Sequence, residues 1–328
     1  MNKLKTSNYS IKIVKNELLK CKIDFIENIY GNKISWIKTG GLIKCLIQPD
    51  SEKKILKTLR ILKAANVEYK VVGNTSNVLL LDEKIYDFII QTKKLKDIQL
   101  YNGTLQVGSG VLMPKLFEFA LQNNIEGFES IQGIPGTVGG GIYMNAEAFG
   151  DGITDYLETV KYISEDLEIK EINRDKLRLK YRQTIFQNIK GIIISAKFRC
   201  KFGQTIQIKQ KAKALKERRL KILESKYSNL GSNFATKDIY LEIARENHWY
   251  RLILKVLRSK IIKNYLNNSK LNKFTLFFFG WDPDLPISEK TLNSFKKKDN
   301  NTSNDLIKLL NEIKKVTNKN LRQEIQIF

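Results

Sequence analysis

The chain has 328 residues, 42% of them hydrophobic, and its 57 Lys+Arg against 34 Asp+Glu give a formal net charge of +23. Such a length accommodates about two or three domains with a sizeable core, and the apolar content excludes wholesale disorder. One histidine and three widely spaced cysteines exclude a His-rich metal site, a zinc pattern and a disulfide framework, so no metal is expected.

The first twenty residues read as a basic leader without the apolar core of a signal peptide. "WIKTGGLIKCLIQP" (36–49) predicts a glycine turn and then a strand. Asp50 is the expected cap of a helix, "SEKKILKTLRILKAANV", with Ile55, Leu59 and Leu62 on one face. "EYKVVG" and "VLLLD" read as two further strands on either side of "GNTSN", completing a small β-α-β unit. Short apolar strands then dominate to about Cys200: "DFIIQT", "DIQLYNGTLQVGSG", "YLETVKYISE", "EIKEI" and "GIIISAKFRC". One helix, "PKLFEFALQNN", interrupts them, with Leu112, Leu116 and Phe119 on a stripe. From Gly203 the composition turns basic, which marks the start of a further domain. That domain closes with "NTSNDLIKLLNEIKKV", where Thr302 and Asp305 make a capping-box pattern, and a last strand, "RQEIQIF". The class is α+β.

The positive charge is mostly lysine scattered among Ile and Asn. Its dense clusters, "KQKAKALKERRLK" and "FKKKD", lack the interleaved aromatics of a single-strand platform, which disfavours a nucleic-acid partner. The charge also suits anionic ligands such as pyrophosphates and carboxylates. The most apolar run, "FTLFFFGW" (274–281), is far shorter than the roughly 20 residues of a spanning helix, so no membrane partner and a cytoplasmic location are expected. His248, in "RENHWYR", reads as structural. Oligomeric state is not legible.

Two glycine-bearing segments compete as phosphate cradles. "VGSGVLM" approaches the dinucleotide fingerprint, but Met113 stands where its third glycine belongs, and a simple turn explains Gly108 and Gly110. "ESIQGIPGTVGGGIYMNAEAFGDGI" (129–153) is more informative. Gly133, Gly136, Gly139, Gly140 and Gly141 strip side chains from one wall, where bare backbone amides could hold an oxyanion.

Within it, "GIPGTVGGGIYMNAEAFG" resembles the flavin-binding signature of the UDP-N-acetylenolpyruvoylglucosamine reductase family. "GNTSNVLL" (73–80), "VGSG" (107–110), "YRQTIF" (181–186), "LGSNF" (230–234) and "RQEIQIF" (322–328) resemble further motifs of that family, in its order. The resemblance implies two FAD-binding domains of the vanillyl-alcohol-oxidase/PCMH-like type, at 1–72 and 73–203, plus a C-terminal α+β substrate-binding domain at 204–328. FAD would contact Gly73, Asn74, Thr75, Ser76, Asn77, Gly133, Ile134, Pro135, Gly136, Thr137, Gly139, Gly140, Gly141 and Asn145. The implied reaction takes a hydride from NADPH through FAD to the terminal vinyl carbon of the enolpyruvyl group on UDP-N-acetylglucosamine, giving UDP-N-acetylmuramate for peptidoglycan synthesis. Arg182 and Glu324 would serve the substrate carboxylate, with Glu324 acting protonated or through Arg182. Ser232 would deliver the proton to the carbon alpha to the carboxylate, and Tyr181 would line the substrate site.

The sequence departs from the family pattern mainly downstream. Ala235 replaces a lysine after "GSNF", Thr291 and Leu292 replace a His-Ala pair, and the stretch from Ala235 to Pro286 is rewritten. Thr75 stands where a glycine is usual. Two alternatives therefore stay open beside the reductase. One is a flavoenzyme acting on another sugar nucleotide or enol substrate. The other is a non-catalytic FAD- or nucleic-acid-binding protein.

Overall fold

The computed structural model describes residues 8–223, 226–259, 262, 266–318 and 320–328. The chain forms two compact units: Met1–Tyr30, Leu42–Thr75 and Ile85–Arg218 make the first, and Gly31–Gly41, Ser76–Lys84 and Arg219–Phe328 the second.

The first unit begins with α1 (Asn8–Lys20) and β1 (Phe25–Tyr30), which lie where the sequence suggested only a basic leader and a gap. Every third or fourth residue of α1 is apolar, and Ile11, Val14 and Leu18 are buried. β2 (Leu42–Ile47), α2 (Glu52–Ala64), β3 (Lys70–Val72), β4 (Val78–Leu79) and β5 (Tyr86–Gln91) follow. The sheet order is β1-β2-β5-β3, with β5 parallel to both β2 and β3 and β1 antiparallel at the edge. The apolar runs of β2 and β5 suit strands covered on both faces. Ile55, Leu59 and Leu62 of α2 pack with α1, Cys45, Phe88 and Ile90. Two expectations change here. The cap of α2 is Ser51, which accepts from the Lys54 amide at 3.4 Å, while Asp50 pairs with the Lys54 ammonium at 2.7 Å. The strand "VLLLD" does not complete this β-α-β unit; β4 belongs to the second unit, and β5 takes its place.

A second, antiparallel sheet has the order β12-β11-β13-β7-β6. Its strands are β6 (Ile98–Tyr101), β7 (Thr104–Gly108), β11 (Leu157–Ile163), β12 (Ile169–Asn173) and β13 (Ile192–Arg199). The short strands β8 (Ile125–Glu126), β9 (Glu147–Ala148) and β10 (Asp151–Gly152) lie between β7 and β11. Packed with this sheet are α3 (Met113–Gln122) and the six-residue α4 (Val138–Tyr143). Leu105, Val107, Val160, Ala196 and Phe198 meet Leu116, Phe117 and Ile142 in one core. After β14 (Lys201–Phe202), the basic helix α5 (Thr205–Ile222) adds Ile208 and Ala212 to it.

The second unit is mostly helical. α6 (Ile239–Glu246), α7 (His248–Leu257) and the helices Asn268–Phe279 and Ser303–Val316 surround Tyr250, Leu254, Leu292, Phe295, Leu309 and Ile313. The capping box of Thr302 and Asp305 is present. A C-terminal strand, Gln326–Ile327, pairs in parallel with β4. The described residues of the rewritten stretch form helices with their own caps and core. Asp238 caps α6 and pairs with Arg258 at 2.7 Å. The Tyr240 hydroxyl donates to Asn272, which donates to the Ser288 carbonyl at 2.7 Å. Tyr250, Phe274, Phe278, Phe279 and Trp281 form a continuous ring cluster. Among the described residues, no helix is long and apolar enough to cross a membrane.

Candidate functional site

The glycines of the bare segment divide into two kinds. A Cβ on Gly139 would meet Ser109 Cβ at 2.8 Å, and one on Gly141 would meet Met113 Sδ at 2.9 Å. A Cβ on Gly73 would come within 2.3 Å of Thr137 Oγ1. The protein's own packing leaves no room for a Cβ at Gly73 and Gly139, whereas at Gly141 the end of the flexible Met113 side chain would move aside. Gly133 and Gly140, by contrast, are exposed, and a Cβ on Gly140 would touch only Thr137 Oγ1, at 3.4 Å. The amides of α4 are committed internally: Val138 donates to Val111 O, Gly139 to Ser109 O, Gly140 to Thr137 Oγ1 and Gly141 to Thr137 O. The expected oxyanion nest is therefore not formed by these four amides. What this wall leaves bare is the Cα surface at Gly133 and Gly140.

The neighbouring loop is tied to that wall, because Asn74 Nδ2 donates to the Pro135 carbonyl. Thr75 is buried with φ +57°, so the position needs the left-handed backbone that a glycine supplies freely. "VGSG" is settled as a packing motif. A Cβ on Gly108 would lie 2.4 Å from Leu95 O, and one on Gly110 2.1 Å from Thr92 O. Both glycines face protein carbonyls, not a phosphate.

The same segment also supports Arg182. Lys180 and Gln183 exchange backbone hydrogen bonds of 3.1 and 2.9 Å, so Tyr181 and Arg182 are the central pair of a β-turn. Arg182 takes φ +55°, as the third position of a type II turn requires, and its guanidinium lies 5.1 Å over the Tyr181 ring. Asn145, just past the end of α4, donates to Lys180 O at 2.9 Å and accepts from Thr154 at 2.7 Å. Gln187 donates to Arg182 O at 3.0 Å and to Tyr143 O at 3.2 Å. Thr184 donates to Tyr143 O, and Phe186 is buried in the core. The glycine helix and the arginine turn are thus one braced assembly. Asn145, expected as a flavin contact, also holds this turn. Gln187 was missed, because nothing in its sequence context distinguishes it.

The remaining candidates belong to the second unit. Ser232 is half-buried, and Glu324 is 8% exposed. The Glu324 amide donates to Asn233 O at 2.8 Å, which sets the C-terminal segment beside "GSNF". Asn77 completes the group: its Nδ2 donates to Glu324 O at 3.1 Å, and its carbonyl accepts from the Gln326 amide at 2.9 Å. The "GNTSN" loop therefore divides, with Gly73, Asn74 and Thr75 in the first unit and Ser76 and Asn77 in the second. Ala235, in place of the usual lysine, pairs its amide with Arg322 O at 2.9 Å.

The first unit fits FAD on two counts. One is the bare surface at Gly133 and Gly140 beside the Asn74–Pro135 contact. The other is the buried Ser109 hydroxyl against Gly139, which has no hydrogen-bond partner among the described residues. A family model described as an FAD binding domain matches residues 43–173, so the class is that of FAD-binding proteins, as expected. The UDP-N-acetylenolpyruvoylglucosamine reductase of Clostridium perfringens (strain SM101 / Type A) is 31% identical over 205 residues, 62% of this chain and 67% of that protein. Its namesake from Carboxydothermus hydrogenoformans is 36% identical over 198 residues, 60% of this chain and 66% of that protein. The crystal structure of the reductase of that name from Thermus caldophilus superposes with a TM-score of 0.67 at 20% identity, covering 93% of this chain and 98% of that one. The chain belongs to the UDP-N-acetylenolpyruvoylglucosamine reductase family.

Proposed function

We propose that the protein reduces the enolpyruvyl group of UDP-N-acetylglucosamine enolpyruvate to give UDP-N-acetylmuramate. NADPH is the hydride donor, FAD the resident cofactor, and peptidoglycan precursor synthesis in the cytoplasm the setting. The first unit binds FAD and the second binds substrate, with bounds that differ from 1–72, 73–203 and 204–328 in giving residues 31–41 and 76–84 to the second unit and α5 as far as Arg218 to the first. The observation that carries this reading is the Tyr181–Arg182 turn. A non-glycine residue is held at φ +55° and braced from two sides, by Asn145 and Gln187, on the end of the glycine-rich helix. Backbone held in a disfavoured region by surrounding bonds is characteristic of residues that must present a side chain in one direction.

FAD, when bound, supplies hydride carriage from NADPH to the substrate's terminal vinyl carbon. Gly133, Gly140 and Asn74 offer it a wall free of side chains, with Ile134, Pro135, Gly136, Thr137, Gly139, Gly141, Gly73 and Thr75 shaping that wall. Ser76 and Asn77 continue the same loop. Hydride addition to a double bond conjugated to a carboxylate places negative charge on an enolate-like substrate. Arg182 holds that carboxylate through a charge-assisted, two-pronged hydrogen bond and offsets the charge. Tyr181 flanks it. Ser232 delivers the proton to the carbon alpha to the carboxylate, and Glu324 serves the substrate carboxylate. A serine serves as an acid toward a carbon as strongly basic as an enolate's once water is excluded.

The test is NADPH oxidation by the FAD-loaded protein with and without the enolpyruvyl sugar nucleotide. Oxidation that depends on that substrate supports the proposal. Flavin bleached by NADPH with no response to that substrate would refute it and favour another enol substrate.

A further inference from the structure

Asn233 lies between Ser232 and Phe234 and is 0% exposed. Its backbone, and that of Phe234, is fully paired. The Asn233 amide donates to Asn293 O at 2.8 Å, and its carbonyl accepts from Glu324 at 2.8 Å. The Phe234 amide donates to Asn293 Oδ1, and its carbonyl accepts from Asn293 Nδ2, both at 2.9 Å. The Asn233 carboxamide is the exception. Among the described residues, neither its Oδ1 nor its Nδ2 has a hydrogen-bond partner.

A buried amide group left unmade is costly, and a leucine of similar size would fill this position without that cost. The carboxamide is therefore suited to something that arrives from outside the chain. Its place indicates what. The bridge between Phe234 and Gln323 sets Asn233 directly across from Glu324, so the two side chains share a face of this short ladder. Yet no hydrogen bond joins them, so they do not satisfy each other. A carboxamide is uncharged and presents an acceptor beside a donor. Phosphate and carboxylate offer acceptors only, whereas hydroxyl and amide groups offer both.

We propose that Asn233 is a ligand-binding, specificity-determining residue, hydrogen-bonding a neutral hydroxyl or amide group of the sugar nucleotide. This rests on the function proposed above for Ser232 and Glu324. It is tested on the FAD-loaded enzyme with Asn233→Leu and Asn233→Ala, measuring flavin bleaching by NADPH, the melting temperature, and KM and kcat for UDP-N-acetylglucosamine enolpyruvate. In both variants bleaching keeps its wild-type rate and KM rises at least 10-fold, with kcat changed less. Asn233→Leu also melts no lower than wild type. A KM within 2-fold of wild type in the folded variants, with Asn233→Leu melting higher, would overturn the inference and leave Asn233 an unsatisfied core residue. A wild-type enzyme that oxidises no NADPH in response to the enolpyruvyl substrate would overturn the functional reading, and this inference with it.

Discussion

Gly73→Ala separates a glycine kept for a ligand from one kept for the protein. The added methyl would sit 2.3 Å from Thr137 Oγ1, the atom that accepts from the Gly140 amide at 3.3 Å and caps α4. The hydroxyl must move, which forfeits a cap worth about 1 kcal/mol. Repacking around the methyl adds about 1–3 kcal/mol. The reduced freedom of the unfolded chain returns about 0.5–1 kcal/mol. The net loss is about 2 kcal/mol, read as a fall in melting temperature of the FAD-free protein of roughly 4–8 °C. The double variant Gly73→Ala/Thr137→Ala supplies the control. Without Oγ1 the steric conflict ends, although the new methyl still lies 3.4 Å from Thr137 Cβ. The double variant should be no less stable than Gly73→Ala alone, with a coupling energy of about 1–2 kcal/mol in the cycle. A Gly73→Ala protein that melts with wild type, or two changes that simply add, would refute the packing argument and return Gly73 to the cofactor.

Ser232→Ala should still let NADPH bleach the flavin while substrate reduction falls about 10²-fold or more, the usual range for losing a general acid. Equal wild-type rates in both half-reactions would remove Ser232 as the acid. Asp238→Ala should cost about 1 kcal/mol through the lost cap of α6 in chemical denaturation, because its carboxylate accepts from the Tyr240 and Leu241 amides. Burial pushes the Cys45 thiol up to about 12, so the folded state favours the neutral thiol. Its contribution to stability is complete below the ordinary thiol value near 9 and is lost as pH rises toward about 12, at about 1.4 kcal/mol per pH unit. Cys45→Ala should flatten that part of the alkaline stability profile, and native protein at pH 8 should resist alkylation at Cys45.

The strands with clean apolar runs and the helices with regular apolar spacing were legible, because burial on a sheet or a helix face leaves a periodic trace. α1 is not, since lysines dilute its stripe of Ile11, Val14 and Leu18 and the segment reads as charge. The cap of α2 was misplaced by one residue because Asp50 and Ser51 are both good caps, and only the Asp50–Lys54 ion pair decides between them. The strand "VLLLD" is legible as a strand but its sheet is not, since its partner, Gln326–Ile327, lies about 250 residues away. In the site, the motifs pointed to Arg182 and Ser232 themselves. Of the residues that brace them, Asn145 is legible only through the family motif, and Gln187 and Asn293 carry no mark in the sequence. Their bonds run from side chains to scattered groups, mostly backbone, and such bonds impose no spacing on a sequence. Asn233 was equally invisible, because only its burial separates it from an ordinary loop asparagine.

The pairing of β4 with Gln326–Ile327 bears on how the chain can be cut. The second unit's core includes Ile37 and Leu79 beside Ile325, so its parts are contributed early and late in synthesis. Ribosomal output reaches residue 84 long before the segment that must lie against it exists. The early segments wait unpaired, and contacts of such long sequence separation form slowly. A piece beginning at Arg219 would have an orphaned strand edge at Gln326–Ile327 and two holes where Ile37 and Leu79 belong. The second unit is compact in space but discontinuous along the chain, so it cannot be excised, swapped or expressed alone without also carrying residues 31–41 and 76–84.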